Sequence, residues 1–302
     1  MKSPSVFALV LALIAPVAQA RVNVIATTPD LAAIAREVGG GEIEVTSLAR
    51  PTEDAHYVDP KPSFIARLNR ADALLEGGLE LEAGWLEPLI AGARNPKLDR
   101  RQPGRVFCAE GVAPLEVPAT VDRSQGHVHA TGNPHFLMDP ANAKIVARNL
   151  ANALAQIAPR SADLFKANAE NFSAAVDARL AAWHRLLDPH RGQRVVAYHN
   201  SWPYFSRQFG VKVDLFLEPK PGIPPSPAHL AAVVAKMKAE KIRVIFTEPH
   251  VSRKTADTVA RNSGATVVEV TQYPGGLKGT EAGYLALMDH NVRALANALS
   301  VQ

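Results

Sequence analysis

Three histidines occupy similar positions in the sequence, where they could bind a metal ion. His56 precedes the segment YVDP, His135 precedes FLMDP, and His199 ends the apolar segment VVAYHN. Each lies at or just after the predicted carboxyl end of a strand, or in a loop that precedes a helix. In open α/β sheets this edge is where ligands bind. We therefore expect the three imidazoles, although they are far apart in the chain, to meet at one site.

The residue type predicts which ion such a site would bind. Neutral imidazole is a borderline-soft donor, and three imidazoles suit a tetrahedral Zn²⁺ ion. Calcium and magnesium prefer oxygen ligands, and manganese prefers more carboxylates than this set offers. The histidines therefore predict Zn²⁺, with Mn²⁺ the less favoured alternative.

Most of the other histidines are expected to be surface or structural residues. Those in helical patterns, or in the loop after the long helical segment, are His184, His190, His229 and His290. His127 and His129 lie in the polar loop 124–132, which we expect to be solvated, with transient capture of metal as the less favoured alternative.

The elements that must position the three candidate ligands are α/β in pattern. Short apolar segments rich in β-branched residues alternate with helical patterns in both halves of the chain, which predicts βα units and a parallel sheet in each half. The predicted strands are 22–27, 43–49 and 71–77 in the first half, and 195–200, 211–217, 242–248 and 265–271 in the second.

A long helix is predicted between the two halves. Ser161 is a possible N-cap and Pro189 ends the pattern. At 1.5 Å per residue, about 28 residues would form a rod about 40 Å long. We therefore predict an N-terminal lobe at 21–158, a connecting helix at 159–189 and a C-terminal lobe at 190–302. The apolar residues at helical spacing in this segment are Leu164, Phe165, Phe172, Val176, Leu180, Trp183 and Leu187.

The first 20 residues have the pattern of a cleavable signal peptide. Lys2 precedes a short apolar stretch, and Ala18-Gln19-Ala20 fits a cleavage site. This pattern predicts export, and the bacterial periplasm is the expected compartment. The only cysteine is Cys108, so we expect neither a lipid anchor at the cleavage point nor an internal disulfide. Cys108 is expected to be buried.

The charge of the chain argues against a nucleic-acid partner. There are 33 Lys and Arg against 29 Asp and Glu, a formal charge of +4. That excess is small and scattered in sequence. We therefore expect no nucleic acid as a partner. The protein is also expected to be a monomer.

Several longer segments resemble the metal-specific solute-binding proteins of zinc and manganese ABC transporters. They are TTPDLAAIAREVGG, EDAHYVDPKPS, GNPHFLMDPANA, VAYHNSWPYFSRQFG, EPKPGIPPSPAHL, VIFTEPH and GYLALMDHNVRALANAL. The resemblance implies two α/β lobes joined by a rigid helix, with the ion in the cleft between them. By motif, it assigns His56 and His135 as ligands from the N-terminal lobe and His199 from the C-terminal lobe. It also implies a non-enzymatic protein that delivers zinc to a membrane permease, and it leaves open whether a metallochaperone loads it.

The resemblance leaves the fourth ligand open. Manganese-selecting members have a carboxylate where this chain has His199, which favours zinc. Many members have an aspartate where this chain has Gln272, and an amide oxygen is a weak zinc ligand. Glu218 is the favoured replacement, and Glu248 or a water molecule are the alternatives. Two acids near His56 are expected to orient its ring, namely Glu53 and Asp59.

Two other classes of protein are compatible with the histidines. Three histidines and an open water position also form a catalytic zinc site, so an exported zinc hydrolase is one alternative. The sequence has no H-E-x-x-H helix and no nucleophile elbow, which argues against it. A metal-free protein that binds an organic solute is the other alternative.

Overall fold

Two four-stranded parallel sheets form the framework of the protein in a computed structural model that describes residues 21–120 and 129–301. The first sheet has the order β2-β1-β3-β4, with β1 at Val22–Ala26, β2 at Ile43–Ser47, β3 at Ala73–Glu76 and β4 at Arg105–Phe107. The second has the order β6-β5-β7-β8, with β5 at Arg194–Ala197, β6 at Lys212–Phe216, β7 at Val244–Thr247 and β8 at Thr266–Glu269. The predicted α/β class with two parallel sheets is confirmed.

Helices connect the strands and cover the sheets, as parallel strands require. In the first half these are α1 at Pro29–Gly39, α2 at Pro62–Arg70, α3 at Leu86–Ala93 and α4 at Pro140–Ile157. In the second half they are α5 at Ala162–Leu187, α6 at Pro203–Phe209, α7 at Pro227–Ala239, α8 at Arg253–Ser263 and α9 at Tyr284–Ser300. Five of these helices have proline as their first residue, where the absence of an amide hydrogen is tolerated.

The long helix α5 belongs to a core that extends through both halves. It has 26 residues, which corresponds to a length of about 39 Å. One apolar cluster contains residues of the first sheet, α4, α5, the second sheet and α9. Trp183 of α5 is completely buried and its indole nitrogen donates to Asp289 of α9 at 3.0 Å. This continuous packing favours small adjustments between the halves over a wide hinge motion.

Hydrogen bonds also join the segment before α4 to the second half. The hydroxyl of Tyr204 donates to the carbonyl oxygen of Asn133 at 2.7 Å and accepts from the amide of Leu115 at 3.0 Å. The hydroxyl of Tyr284 donates to the carbonyl oxygen of Leu137 at 2.7 Å. Because both tyrosines are buried, these bonds hold Leu115 and the 133–138 segment against the C-terminal half.

The structure differs from the sequence prediction at several element ends. Strand β4 at Arg105–Phe107 was not predicted, because three residues are too few to give a periodic signal. Helix α2, which was not predicted with bounds, begins at Pro62, and Lys61 occupies its N-cap. In α5, Leu164 is 44% exposed, so it lies outside the predicted apolar face.

Other sequence predictions have definite outcomes. Cys108 is completely buried, as predicted. Within residues 21–120 and 129–301, none of the helices has the length and apolar character needed to cross a membrane. The predicted signal peptide and His127 lie outside the described residues. The lobe boundaries at residues 158 and 189 stay a prediction.

Candidate metal centre

His56 lies in the loop that follows β2, in a single 3-10 turn at Ala55–Tyr57. Asp54 occupies the N-cap of this turn, and its carboxylate accepts from the backbone amide of His56 at 2.9 Å. The same oxygen accepts from Nδ1 of the imidazole at 2.8 Å. Because Nδ1 carries the hydrogen, Nε2 of a neutral His56 has a lone pair available for a metal.

His135 begins the turn that leads into α4 and is buried, with 7% of its surface exposed. Its backbone amide donates to the side chain of Asn133 at 3.0 Å. Burial, together with the charges of His56, His199 and His129, lowers the pKa of His135 well below its usual value. Its Nε2 is buried and has no hydrogen-bond partner in the described part of the chain. A neutral imidazole with an unpartnered nitrogen is suited to bind a metal ion.

His199 lies two residues beyond the end of β5 and faces Glu218, which lies two residues beyond β6. Nδ1 of His199 donates to the Glu218 carboxylate in a short hydrogen bond. Burial lowers the pKa of His199, but the hydrogen bond and charge of Glu218, with the charges of Glu248 and Asp54, raise it overall above its usual value. Because Nδ1 makes this hydrogen bond, Nε2 is the ring nitrogen that His199 could offer to a metal ion.

The three histidines form one compact group. One ring nitrogen from each of His56, His135 and His199 lies within 4.8 Å of the others. The ring centroids are 5.2 Å apart for His56 and His135, 5.4 Å for His56 and His199, and 5.3 Å for His135 and His199. Nitrogens bound to one tetrahedral zinc at 2.0–2.1 Å lie about 3.4 Å apart, so small side-chain movements would close this group on an ion.

Two other residues considered for the fourth ligand, Glu248 and Gln272, are hydrogen-bonded to one another. The amide nitrogen of Gln272 donates to Glu248 at 2.9 Å and to Ser201 at 3.1 Å. Burial raises the pKa of Glu248, against the opposing effects of His250, His199 and Gln272. Gln272 and His135 line one cavity, and Gln272 acts to raise the pKa of His135 against the larger effect of burial.

Two residues near the histidines were missed in the sequence. Asp54 contacts His56, whereas the side chain of Glu53 accepts from the backbone of Arg50 and Asp59 is exposed. The predicted orienting role of Glu53 and Asp59 is therefore wrong. The spacing Asp-x-His, with an aspartate that caps its own turn, is the signal that could have indicated Asp54.

His250 is the second residue near the site that was missed in the sequence. It follows β7 and lines the same open cavity as Asp54, His56, His199 and Glu218. Its Nε2 lies 3.9 Å from the Glu248 carboxylate. The segment VIFTEPH contains it at the carboxyl end of a strand, the position at which the other candidate ligands were sought.

The remaining described histidines divide into two groups. His129, expected in a solvated loop, is half-buried, and its Nε2 lies 3.2 Å from Nε2 of His56. The others form hydrogen bonds elsewhere in the fold. These are His184 with Asp188 and Gln208, His190 with Ser300, His229 with the carbonyl of Phe216, and His290 with the carbonyl of Glu269.

Comparisons with known proteins identify the family. Residues 24–298 match the family described as zinc-uptake complex component A, periplasmic. The chain is 27% identical over 282 residues to the iron-binding protein YfeA of Yersinia pestis, covering 91% of this chain and 85% of that protein. It is 24% identical over 290 residues to the manganese ABC transporter substrate-binding lipoprotein PsaA of Streptococcus pneumoniae, covering 93% and 89%.

A solved structure leads to the same family. The crystal structure of a ZnuA deletion mutant lacking residues 138–173, with zinc bound, superposes with a TM-score of 0.78 at 26% identity, covering 92% of this chain and 98% of that one. Members of the family are substrate-binding transport proteins that work with the permease and ATPase of an ABC transporter, so the hydrolase alternative is set aside. The chain belongs to this family of periplasmic metal-binding solute-binding proteins of ABC transporters.

Proposed function

We propose that the protein captures Zn²⁺ between its two halves and delivers it to the permease of an ABC transporter. The observation that carries the proposal is the group of buried His56, buried His135 and half-buried His199, with ligand nitrogens within 4.8 Å of one another. His56 and His135 are from the first half and His199 is from the second. Binding would therefore link metal occupancy to the relative position of the two halves.

The donor set supports zinc over the other metals named among the relatives. YfeA is named for iron and PsaA for manganese. In this chain the carboxylates nearest the group, Asp54 and Glu218, are hydrogen-bonded to imidazole nitrogens. A site whose ligand atoms are imidazole nitrogens favours zinc, whereas manganese favours oxygen ligands.

Glu218 has a different role in this proposal from the ligand role predicted from the sequence. Its carboxylate accepts from Nδ1 of His199, and its second oxygen accepts from the amide of Gly222 at 3.3 Å. We propose that Glu218 orients His199 and increases the basicity of its Nε2, as acceptors behind metal-bound histidines do. Asp54 has the same role for His56.

The proposal also includes export of the chain and its division into two lobes. A signal peptide at residues 1–20 would direct the chain to the periplasm, and the lobes at 21–158 and 190–302 would be held by the helical segment 159–189. The absence of a lipid anchor stays a prediction, because PsaA is named a lipoprotein. The monomeric state and a metallochaperone also stay predictions.

Calorimetric titration of the metal-free mature chain with Zn²⁺ tests the proposal. We expect one tight site per chain, and no tight site when His56, His135 and His199 are all replaced by alanine. The matched control replaces His184, His229 and His290, which are hydrogen-bonded outside the group, and should bind as the wild type does. Tight binding by the first triple variant, or tighter binding of Mn²⁺ than of Zn²⁺ by the wild type, would contradict it.

A further inference from the structure

A fourth histidine approaches the proposed zinc site from a different segment of the chain. Nε2 of His129 lies 3.2 Å from Nε2 of His56. The two ring centroids are 5.2 Å apart, the same separation as between His56 and His135. His129 also lines an open cavity together with His135 and His199. His129 therefore contacts one of the three candidate ligands and shares a cavity with the other two.

The distance between the two Nε2 atoms agrees with shared coordination. Ligand nitrogens at 2.0–2.1 Å from a tetrahedral zinc lie about 3.4 Å apart. His56 donates from Nδ1 to Asp54, so a neutral His56 accepts at Nε2 and His129 supplies the hydrogen between them. When His129 carries its hydrogen on Nδ1 instead, the Nε2 atoms of both rings point lone pairs toward a shared ion.

The backbone after His129 is held by several contacts. The amide of Ala130 donates to the carboxylate of Glu80, and the amide of Gly132 donates to the carbonyl of His129 at 3.3 Å. Gly132 has a φ of 109°, and a Cβ at this residue would lie 2.8 Å from Pro114 and 2.9 Å from the carbonyl of Leu115. Only glycine fits there without displacing the neighbouring chain, so the turn that presents His129 is closely packed against the first half.

The other residues considered for the fourth ligand are engaged elsewhere. Glu218 accepts from His199, and the Gln272 amide donates to Glu248 and Ser201. His129 is not one of the three histidines whose ligand nitrogens all lie within 4.8 Å of one another. To complete the site, its ring must turn toward His135 and His199. Its partial exposure allows that rotation.

We infer that His129 is the fourth zinc ligand of this protein. The inference rests on the proposed function, because it adds a donor to the site of His56, His135 and His199. Four imidazoles close the coordination sphere, as in zinc sites without an open water position. In this chain the histidine replaces the aspartate that the family resemblance predicts where Gln272 stands.

The test compares the zinc coordination of wild type and His129→Ala. X-ray absorption at the zinc edge should show four nitrogen neighbours in the wild type, and three nitrogens with one oxygen from water in the variant. Competition titration with a zinc chelator should show affinity lowered roughly tenfold or more, with one zinc per chain retained, because outer partners alone are worth 10–100-fold. His229→Ala, with a ring bonded to the carbonyl of Phe216, is the matched control and should equal the wild type.

A second variant separates a ligand role from a structural role. His129→Asp supplies another zinc donor, and it should recover part of the lost affinity with a carboxylate oxygen in the shell, which His129→Asn should not do. If wild type and His129→Ala bind zinc with the same affinity and the same shell, the inference is overturned while the proposed function stands. If the wild type does not bind one zinc per chain, the proposed function itself fails.

Discussion

The Asp54 carboxylate accepts two hydrogen bonds from His56, one from the backbone amide and one from Nδ1 of the ring. Burial raises the pKa of Asp54, but these bonds and the charges of His56 and His250 lower it overall well below its usual value. One side chain therefore fixes both the local turn and the orientation of the imidazole. The carboxylate remains ionised and makes Nε2 of His56 a better donor.

Replacing Asp54 by asparagine should weaken zinc binding without changing its stoichiometry. The amide can still accept a hydrogen bond, but it lacks the negative charge that strengthens the imidazole donor. We expect an affinity about 10–100-fold lower by chelator competition. Asp59→Asn is the control, since Asp59 is exposed three residues beyond His56. Equal losses in the two variants would refute a specific role for Asp54.

Replacing Glu218 by glutamine distinguishes its two possible roles. If Glu218 orients His199, the affinity for zinc should fall roughly tenfold and the ligand shell should keep its nitrogen neighbours and gain no water. If Glu218 is itself a ligand, the shell measured by X-ray absorption should lose a carboxylate oxygen. Glu53→Gln, at a carboxylate bonded to the Arg50 backbone, should leave both measurements unchanged.

Replacing Tyr204 by phenylalanine should destabilise the fold. The hydroxyl donates to the carbonyl of Asn133 and accepts from the amide of Leu115, so its removal leaves two polar backbone groups without this partner. We expect the free energy of unfolding in urea to fall by about 1–3 kcal/mol. Tyr57→Phe, at a side chain that is 58% exposed, should change it by less than about 0.5 kcal/mol. A Tyr204 variant as stable as the wild type would show that these bonds do not hold the halves together.

Glu82 should make the stability of the protein depend on pH. Burial raises its pKa from 4.5 to about 7, against the hydrogen bonds from Thr27, Gly77 and Gly78. Between pH 4.5 and 7 the unfolded chain releases this proton while the folded chain keeps it, so the folded state binds more protons and stability falls as pH rises. The contribution is fully present below pH 4.5 and is lost above about 7, and the pKa difference corresponds to roughly 3 kcal/mol.

Urea unfolding of the metal-free protein at pH 5 and pH 8 measures this contribution. The loss of stability between the two pH values should be smaller in Glu82→Gln than in the wild type, because the amide does not ionise. Glu170→Gln, at an exposed residue of α5, should show the wild-type loss. An unchanged loss in Glu82→Gln would mean that Glu82 is not the group responsible.

Several features of the protein follow from the sequence because they depend on nearby residues. The alternation of apolar β-branched segments with helical patterns predicted both parallel sheets, since each strand and helix has its own periodicity. The start of α4 is also a local feature, because Asp139 caps the helix through the amide of Ala141 at 2.9 Å and Pro140 follows it. The shared position at strand ends also indicated His56, His135 and His199 as candidate ligands.

Only the tertiary structure decided which groups meet at the site. Asp54 and not Asp59 reaches His56, Glu218 faces His199, and His129 approaches from a loop that its composition assigned to solvent. The physical reason is that sequence periodicity specifies the faces of strands and helices, but not the paths of the loops between them. Which side chains from distant loops come within bonding distance depends on how the two halves pack around α5, and no short segment encodes that packing.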